Sequence, residues 1–227
     1  SGHYTKTKFI KIVEASHPEP DKNGLIVSKK IFELATQSSK DDHVVFLISG
    51  GASSLLTLPA KGVSFEEKQR INKELLRCGA PIDEMNIVRR SLSQIKGGRL
   101  AQAIYPAKLT TYMISDIPGD DPAYIGSGPT IQANGLNKDS IKILEKYEIS
   151  INNQLKDIII KNTLPKLNKS PEYMIATPMM ALKKAAEEAK KQDFIPVIIS
   201  DSLEGESKIE GKKTVSYTHL TLPTKWI

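Results

Sequence analysis

The stretch HVVFLISGGASSLL, residues 43–56, joins a near-continuous apolar run to a turn rich in glycine and serine. An apolar run of this kind is typical of a parallel strand that is covered by helices on both faces of its sheet. Residues 43–49 therefore predict a buried strand, and the glycine pair that follows predicts a tight turn at its carboxyl end.

Apolar and amphipathic segments alternate on both sides of this strand. Further strands are predicted over residues 8–15, 109–115, 173–176 and 194–200. Helices are predicted over residues 24–35, 64–78, 98–105, 139–147 and 152–167. A last helix is predicted to be capped by Thr177, to begin at Pro178 and to face inward through Leu182, Ala185, Ala186 and Ala189. The alternation predicts an α/β fold, a Rossmann-like three-layer α/β/α arrangement with a mainly parallel sheet.

One predicted helix has a clear start and a clear apolar face. Ser64 and Glu67 form a capping box, in which each residue satisfies a free backbone N–H group of the first turn. Ile71, Leu75 and Cys78 recur on one face of this helix, so we expect Cys78 to belong to the core.

The composition excludes several classes of protein. The chain has 227 residues, of which 39% are apolar and 26% charged, which is enough to bury a core and excludes wholesale disorder. Its single cysteine excludes an intrachain disulfide and a zinc site built from several cysteines. No apolar run approaches the roughly 20 residues of a membrane span, so we expect no membrane partner.

The charge of +6 comes mostly from 27 lysines spread along the chain, which we interpret as solvated helix faces. A nucleic-acid partner is not expected, because such surfaces cluster arginines and interleave them with aromatic residues. All five arginines instead lie between Arg70 and Arg99, and three of them lie between Arg89 and Arg99. Arginine suits planar carboxylates and phosphates, so this segment predicts anion chemistry.

Three polar stretches are expected at or near the carboxyl ends of strands, where ligands bind in doubly wound sheets. The first stretch offers flexible backbone N–H groups and three hydroxyls for an anion, although an ordinary strand-to-helix turn explains it as well. Its candidate binding residues are Ser49, Gly50, Gly51, Ala52, Ser53 and Ser54.

The second stretch combines cations with a Gly-Gly pair ahead of a helix. Arg89 or Arg90 has the fork geometry that holds a carboxylate, and Lys96 would neutralise phosphate charge. Asn86, Gly97 and Gly98 complete the candidate residues of this stretch. The alternative interpretation is a solvated basic loop.

The third stretch contributes a carboxylate. Asp116 ends a predicted strand, where it would bind Mg²⁺ through water or take a hydroxyl proton. Asp120 and Asp121 are at least as well explained as turn formers. Ser127, Gly128 and Thr130 belong to a rigid polar turn with expected ligand contacts. A lone histidine, His17, is more simply explained as structural than as catalytic.

An anion loop, arginines, a lysine and a strand-end carboxylate together indicate phosphoryl transfer. These stretches, in this order, resemble the type II glycerate kinases, the family with DUF4147 and MOFRL domains. The matching segments are residues 14–21, 47–59, 79–101, 115–120, 127–130 and 204–206. Ala52 stands where the family usually has a third glycine, and Ser91 stands where it usually has a histidine.

The resemblance implies ATP-dependent phosphorylation of D-glycerate to 2-phosphoglycerate with Mg²⁺, in the cytoplasm. From their residue chemistry we assign catalytic roles to Arg89, Lys96 and Asp116, with Asp116 also as the candidate metal ligand. The oligomeric state is left open, with a homodimer as one option. Two other functions remain: a phosphate- or nucleotide-binding α/β domain without catalysis, and a hydroxypyruvate reductase, a name that older descriptions give to relatives.

The resemblance also implies a domain organisation. Residues 1–214 would form part of the family's N-terminal DUF4147 domain, cut at both ends, and we expect this chain by itself to be inactive. Residues 215–227 (VSYTHLTLPTKWI) resemble the translated adapter tails of metagenomic sequences. We therefore expect a non-native tail that packs against nothing, with a β-prone native C-terminus as the alternative.

Overall fold

The computed structural model of the chain describes residues 5–133, 137–203 and 205–220. Three parallel strands form the sheet in the order β1 (His43–Ile48), β2 (Lys108–Ile114) and β3 (Glu172–Ala176). Ile48 lies opposite Met113, and Tyr112 lies opposite Tyr173. The parallel pairing and the intervening helices confirm the predicted α/β fold.

Helices connect and follow the strands. They are α1 (Lys22–Gln37), α2 (Ala52–Leu55), α3 (Phe65–Arg77), α4 (Ile82–Ser91), α5 (Arg99–Ile104), α6 (Asn137–Lys146), α7 (Asn153–Lys161), α8 (Pro178–Lys191) and α9 (Ser207–Leu220). The predicted caps are present: the Ser64 hydroxyl accepts from Glu67 N at 3.0 Å, and the Thr177 hydroxyl accepts from Met180 N at 3.2 Å. The sequence therefore located these two helix starts correctly.

The buried apolar side chains form clusters that fix the helices around the sheet. Leu75, Val88, Leu144 and Ile159 join α3, α4, α6 and α7 into one cluster. A second cluster packs α1 and α5 against one face of the sheet. In the third, Ile48 and Met113 at the strand ends pack against Ile125 and Ile131. This last contact holds the segment after β2 against the carboxyl edge of the sheet.

Two predicted strands are wrong. Residues 8–15 and 194–200 have no regular secondary structure. In the second segment Pro196 removes a ladder hydrogen bond, and Ile195 is 93% exposed because no described element covers it. Apolar composition alone does not make a strand, because a strand also needs a paired neighbour and a covering layer.

Three details of the predicted helices are also wrong. α7 ends at Lys161 rather than at Leu167, since Pro165 disfavours helical backbone in the residue before it. Cys78 is exposed, because α3 has already passed the core at Leu75. The predicted inner face of α8 has no buried residue, since none of the described elements packs closely over it.

Part of the sheet surface is exposed to solvent. Val45, Leu47, Tyr173 and Ile175, which lie on the strands, are each more than half exposed.

α9 continues into the predicted tail as far as Leu220, and residues 221–227 lie outside the described part of the chain, as does Glu204. Within the described residues, no helix is long and apolar enough to span a membrane.

Candidate active site

The turns after β1 and β2 touch each other at the carboxyl edge of the sheet. A Cβ atom on Gly50 would lie only 1.9 Å from Oδ2 of Asp116, so the carboxylate rests directly against the glycine backbone. Gly51 adopts φ +78°, a backbone conformation that favours glycine. The glycine pair is therefore needed both for the turn and for the close approach of Asp116.

A cavity of about 210 Å³ opens beside this contact. Its polar wall brings together residues from all three predicted stretches: Gly50, Gly51, Ser53, Ser54, Asn86, Arg89, Lys96 and Asp116. Among the described residues, none accepts a hydrogen bond from the N–H groups of Gly50 and Gly51. Since cavities for drug-sized ligands hold roughly 300–1,000 Å³, this one suits a small substrate or one phosphate group.

Lys96 is fully buried and ties two walls of the cavity together. Its ammonium donates to the carbonyl oxygens of Ser53 at 2.9 Å and Gly126 at 3.0 Å, and more weakly to Ser53 Oγ at 3.3 Å. Burial lowers the pKa of Lys96 well below its usual value, and the nearby cations lower it further. The three acceptors favour the ammonium form and oppose that shift. All three N–H donors are thus engaged by protein oxygens.

A chain of hydroxyls extends this contact to α4. Ser127 Oγ donates to Asn86 Oδ1 at 2.8 Å, and it lies 2.9 Å from Ser53 Oγ. Since each hydroxyl has one proton, Ser53 donates to Ser127 and itself accepts from Lys96. The network joins the three stretches that the sequence singled out.

Several predicted site residues support the cavity without lining it. Gly97 N donates to Ser127 O at 3.0 Å, and Gly98 N donates to Gly128 O at 2.7 Å. Thr130 is buried and its hydroxyl accepts from Thr111. Ser49 and Ala52 also lie outside the lining, and Ser49 is exposed. All of these positions stay predicted binding residues.

The adjacent arginines of α4 point to different places. Arg89 lines the cavity, where its Nε donates to Asn72 Oδ1 at 2.8 Å and no described residue accepts from its two Nη groups. Arg90 instead donates to Ala123 O at 2.6 Å and lies over the ring of Tyr124. Arg89 therefore offers a free guanidinium edge to a ligand, and Arg90 holds the segment after β2.

Sequence reasoning missed Lys68, which lies on α3 and lines the same cavity. It is only 7% exposed, and its ammonium donates to Thr57 Oγ1 at 3.1 Å. The sequence does contain a signal for it, because Lys68 precedes Ile71 by three residues and so falls on the apolar face of α3. A lysine at a core position of an amphipathic helix indicates a candidate functional residue.

Two further predictions concern His17 and the acidic turn. His17, interpreted as structural, also lines the cavity, with its Cδ2 3.3 Å from where a Cβ of Gly51 would be. Asp121 accepts from Ala123 N at 2.9 Å, as expected of a turn former. Asp120 has φ +52° and lies in the same turn.

A divalent cation would have one carboxylate to bind here. Within the described residues there is no group of three or more His, Cys, Asp or Glu side chains suited to a metal. Mg²⁺ is commonly held by one or two carboxylates together with the phosphates of its substrate. Asp116, placed against the free N–H groups of the glycine turn, fits that substrate-assisted mode.

Comparison with known proteins places the chain among relatives of described activity. The family model described as a domain of unknown function, DUF4147, matches residues 1–160. A D-glycerate 2-kinase of Thermotoga maritima is 39% identical over 203 residues, which cover 89% of this chain and 49% of that protein. A protein of Agrobacterium vitis that bears the name hydroxypyruvate reductase is 42% identical over 214 residues, 92% of this chain and 55% of its own length.

A solved structure is also similar to this chain over most of its length. The crystal structure of the glycerate kinase of Thermotoga maritima superposes with a TM-score of 0.85 at 38% identity, over 95% of this chain and 52% of that one. The chain spans about half the length of the curated relatives it matches.

Proposed function

This chain belongs to the glycerate kinase family that carries the DUF4147 domain, and from that membership we propose that the intact protein transfers a phosphoryl group from ATP to D-glycerate at the cavity described above. The observation that carries the proposal is the meeting of three groups in one small cavity. They are the glycine turn, the free edge of Arg89 and the carboxylate of Asp116.

Each group has a role that follows from its chemistry. The Nη groups of Arg89 bind the glycerate carboxylate through a two-point contact. The N–H groups of Gly50 and Gly51 bind phosphate oxygens, as consecutive glycine amides do in anion sites. Phosphoryl transfer depends mainly on positioning and charge neutralisation, which is what these fixed donors supply.

Asp116 would hold Mg²⁺, which neutralises the negative charge of the ATP phosphates when bound. Without the metal, the same carboxylate is suitably placed at the cavity to accept the proton of the attacking hydroxyl. Lys96 acts as a positioning residue, because its three donors fix Ser53 and Gly126 in place. The phosphorylated hydroxyl is assigned as the 2-hydroxyl, by similarity to the D-glycerate 2-kinase.

Hydroxypyruvate reduction is the competing activity, because a relative bears that name. Hydride transfer from a nicotinamide cofactor usually goes with a Gly-x-Gly-x-x-Gly fingerprint after a strand. The 227 residues contain no such fingerprint, whereas the glycine turn after β1 reads Ser49-Gly50-Gly51-Ala52. The kinase interpretation uses the residues that line the cavity, so it is preferred.

Two assays on the intact protein separate these activities. The first follows ADP release with ATP, Mg²⁺ and D-glycerate, and the second follows NADH oxidation with hydroxypyruvate. We expect D-glycerate-dependent ADP release and no NADH oxidation above background. The opposite pattern would assign the reductase, and ATP binding without turnover would assign a non-catalytic nucleotide-binding domain.

We further propose that the protein acts in the cytoplasm, with D-glycerate and ATP as its partners, as similarity to glycerate kinases implies. A homodimer is a proposal that light scattering of the intact protein can test. A scattering mass equal to one chain would exclude it.

Replacing Arg89 with methionine should raise KM for D-glycerate more than it lowers kcat. The variant removes the two-point contact with the carboxylate, and hydrogen bonds to charged groups contribute about 1.5–3 kcal/mol, or about 10- to 100-fold in KM. Arg89→Lys should recover only part of this loss, because an ammonium lacks the planar fork. Steady-state kinetics with varied D-glycerate gives both constants.

Arg77→Met is the matched control, since Arg77 is exposed at the end of α3. It should leave KM and kcat unchanged. Equal KM values for wild type and Arg89→Met would remove Arg89 from the glycerate site.

A further inference from the structure

Lys68 is a buried cation that the reaction described above does not use. Its ammonium has one hydrogen-bond acceptor among the described residues, Thr57 Oγ1 at 3.1 Å, although an ammonium has three donors. Its neighbours on the inner side of α3 are Phe65 and Ile71, which are apolar and buried. Within the described chain it forms no ion pair with a carboxylate. Two donors of this buried lysine are therefore left without an acceptor among the described residues.

Lys68 shares the cavity with two basic side chains and one carboxylate. α4 contributes Arg89 and the loop before α5 contributes Lys96, while the segment after β2 contributes Asp116 and Tyr124, and the segment before α1 contributes His17. Burial and the nearby charge of Arg89 lower the pKa of Lys68 to about 7. Close to neutral pH, and with no anion bound, Lys68 is therefore partly uncharged.

An anion bound in this cavity would shift Lys68 back toward its charged ammonium form. A negative charge next to a buried amine favours the ammonium form, because it offsets both the loss of hydration and the repulsion from Arg89. The two unused N–H donors of Lys68 would then find acceptors on the anion. The cavity is large enough for a carboxylate or a phosphate group beside these side chains.

We propose that Lys68 binds the anionic group of the substrate together with Arg89, and that its amine takes up one proton from solvent as that group enters. The chemical class is a small oxyanion, either the carboxylate of D-glycerate or a phosphate group. The identity of the substrate rests on the proposed function, whereas anion binding at Lys68 rests on the geometry of a buried ammonium that lines the cavity with two unused donors.

We expect the affinity of this site for anions to fall as the pH rises. The bound anion raises the pKa of Lys68 above the value of about 7 that it has without an anion. Anion affinity is therefore highest below pH 7 and falls as the pH rises through the raised pKa of the complex. Between these two values binding takes up protons, and at pH 8 we expect about 0.5–1 proton per bound anion.

Isothermal titration calorimetry of the intact protein measures this uptake. Sulfate is the first probe, because its charge does not change between pH 6 and 9, and D-glycerate is the second. Each titration is repeated at pH 8 in buffers with different ionisation enthalpies, so that the slope of the observed enthalpy gives the number of protons. If Lys68 holds the carboxylate, D-glycerate shows the uptake; if it holds a phosphate group, only sulfate does.

Lys68→Met should weaken the binding of the probe that shows uptake by about 10- to 100-fold below pH 7 and abolish its proton uptake. Lys73→Met is the matched control from the same helix, since Lys73 is exposed and pairs with Glu19 on the surface. It should keep the wild-type affinity and proton number. Lys68→Arg keeps a permanent charge, so it should bind anions without proton uptake even at pH 8.

Wild-type protein that binds both probes without proton uptake, or Lys68→Met that keeps the wild-type proton number, would overturn the proposal. If Lys68→Met does not fold, the wild-type pH profile and Lys68→Arg decide the question. The proposed function is tested separately by ADP release. Proton-coupled sulfate binding without kinase activity would refute the kinase and leave the role of Lys68 standing.

Discussion

Gly50→Ala is expected to lower kcat for D-glycerate phosphorylation by about 10²–10³-fold. The new Cβ would lie 1.9 Å from Oδ2 and 2.4 Å from Cγ of Asp116, distances that no real contact allows. Because Asp116 is exposed at the cavity edge, its side chain moves away rather than the strand. The carboxylate is then displaced from the phosphate-binding turn, while the fold is retained.

Steady-state kinetics and thermal unfolding of the intact protein test this expectation together. Gly211→Ala is the matched control, because nothing lies within 4 Å of the Cβ it would add. The control should leave kcat unchanged and should not lower the melting temperature, because alanine is favoured over glycine within α9. A Gly50→Ala protein with wild-type kcat would mean that the contact between Gly50 and Asp116 has no part in the reaction.

Lys96→Met should have the largest combined effect, on both stability and activity. The substitution leaves the buried carbonyl oxygens of Ser53 and Gly126 without a donor, and each such loss costs about 1–3 kcal/mol. We expect the free energy of unfolding to fall by about 2–4 kcal/mol. Activity should fall by about 10²-fold or more even where the protein is folded, because the glycine turn loses its anchor.

Urea unfolding followed by circular dichroism measures the first effect, and ADP release at low urea measures the second. Lys61→Met, an exposed lysine in the loop before α3, is the control and should change neither quantity. Full activity in a stably folded Lys96→Met protein would show that the contacts from Lys96 to Ser53 and Gly126 do not position the site.

The sequence predicted the parts of the site that depend on local rules. Residues 43–56 predicted both β1 and the turn after it, because an apolar run followed by a glycine pair is typical of a buried strand and its turn in an α/β chain. The caps at Ser64 and Thr177 were found for the same reason, since each depends on residues within one helical turn. The first and third candidate stretches meet because the carboxyl ends of β1 and β2 share one edge, whereas the second reaches the cavity from α4 and the loop before α5.

What could not be predicted depends on packing between distant segments. Nothing local distinguishes Arg89 from Arg90, yet one faces the cavity and the other binds Ala123 O. The role of Lys96 depends on Ser53 and Gly126, which come from two other segments. The run at residues 194–200 has the composition of a strand but lacks a covering layer.

The central claim is that D-glycerate binds in the cavity between Arg89 and the glycine turn. A crystal structure of the intact protein with D-glycerate and a non-hydrolysable ATP analogue tests it most directly. The account predicts the glycerate carboxylate within hydrogen-bonding distance, about 2.7–3.2 Å, of the Nη atoms of Arg89, and a phosphate group at the N–H groups of Gly50 and Gly51. D-Glycerate bound elsewhere, with this cavity empty, would contradict it.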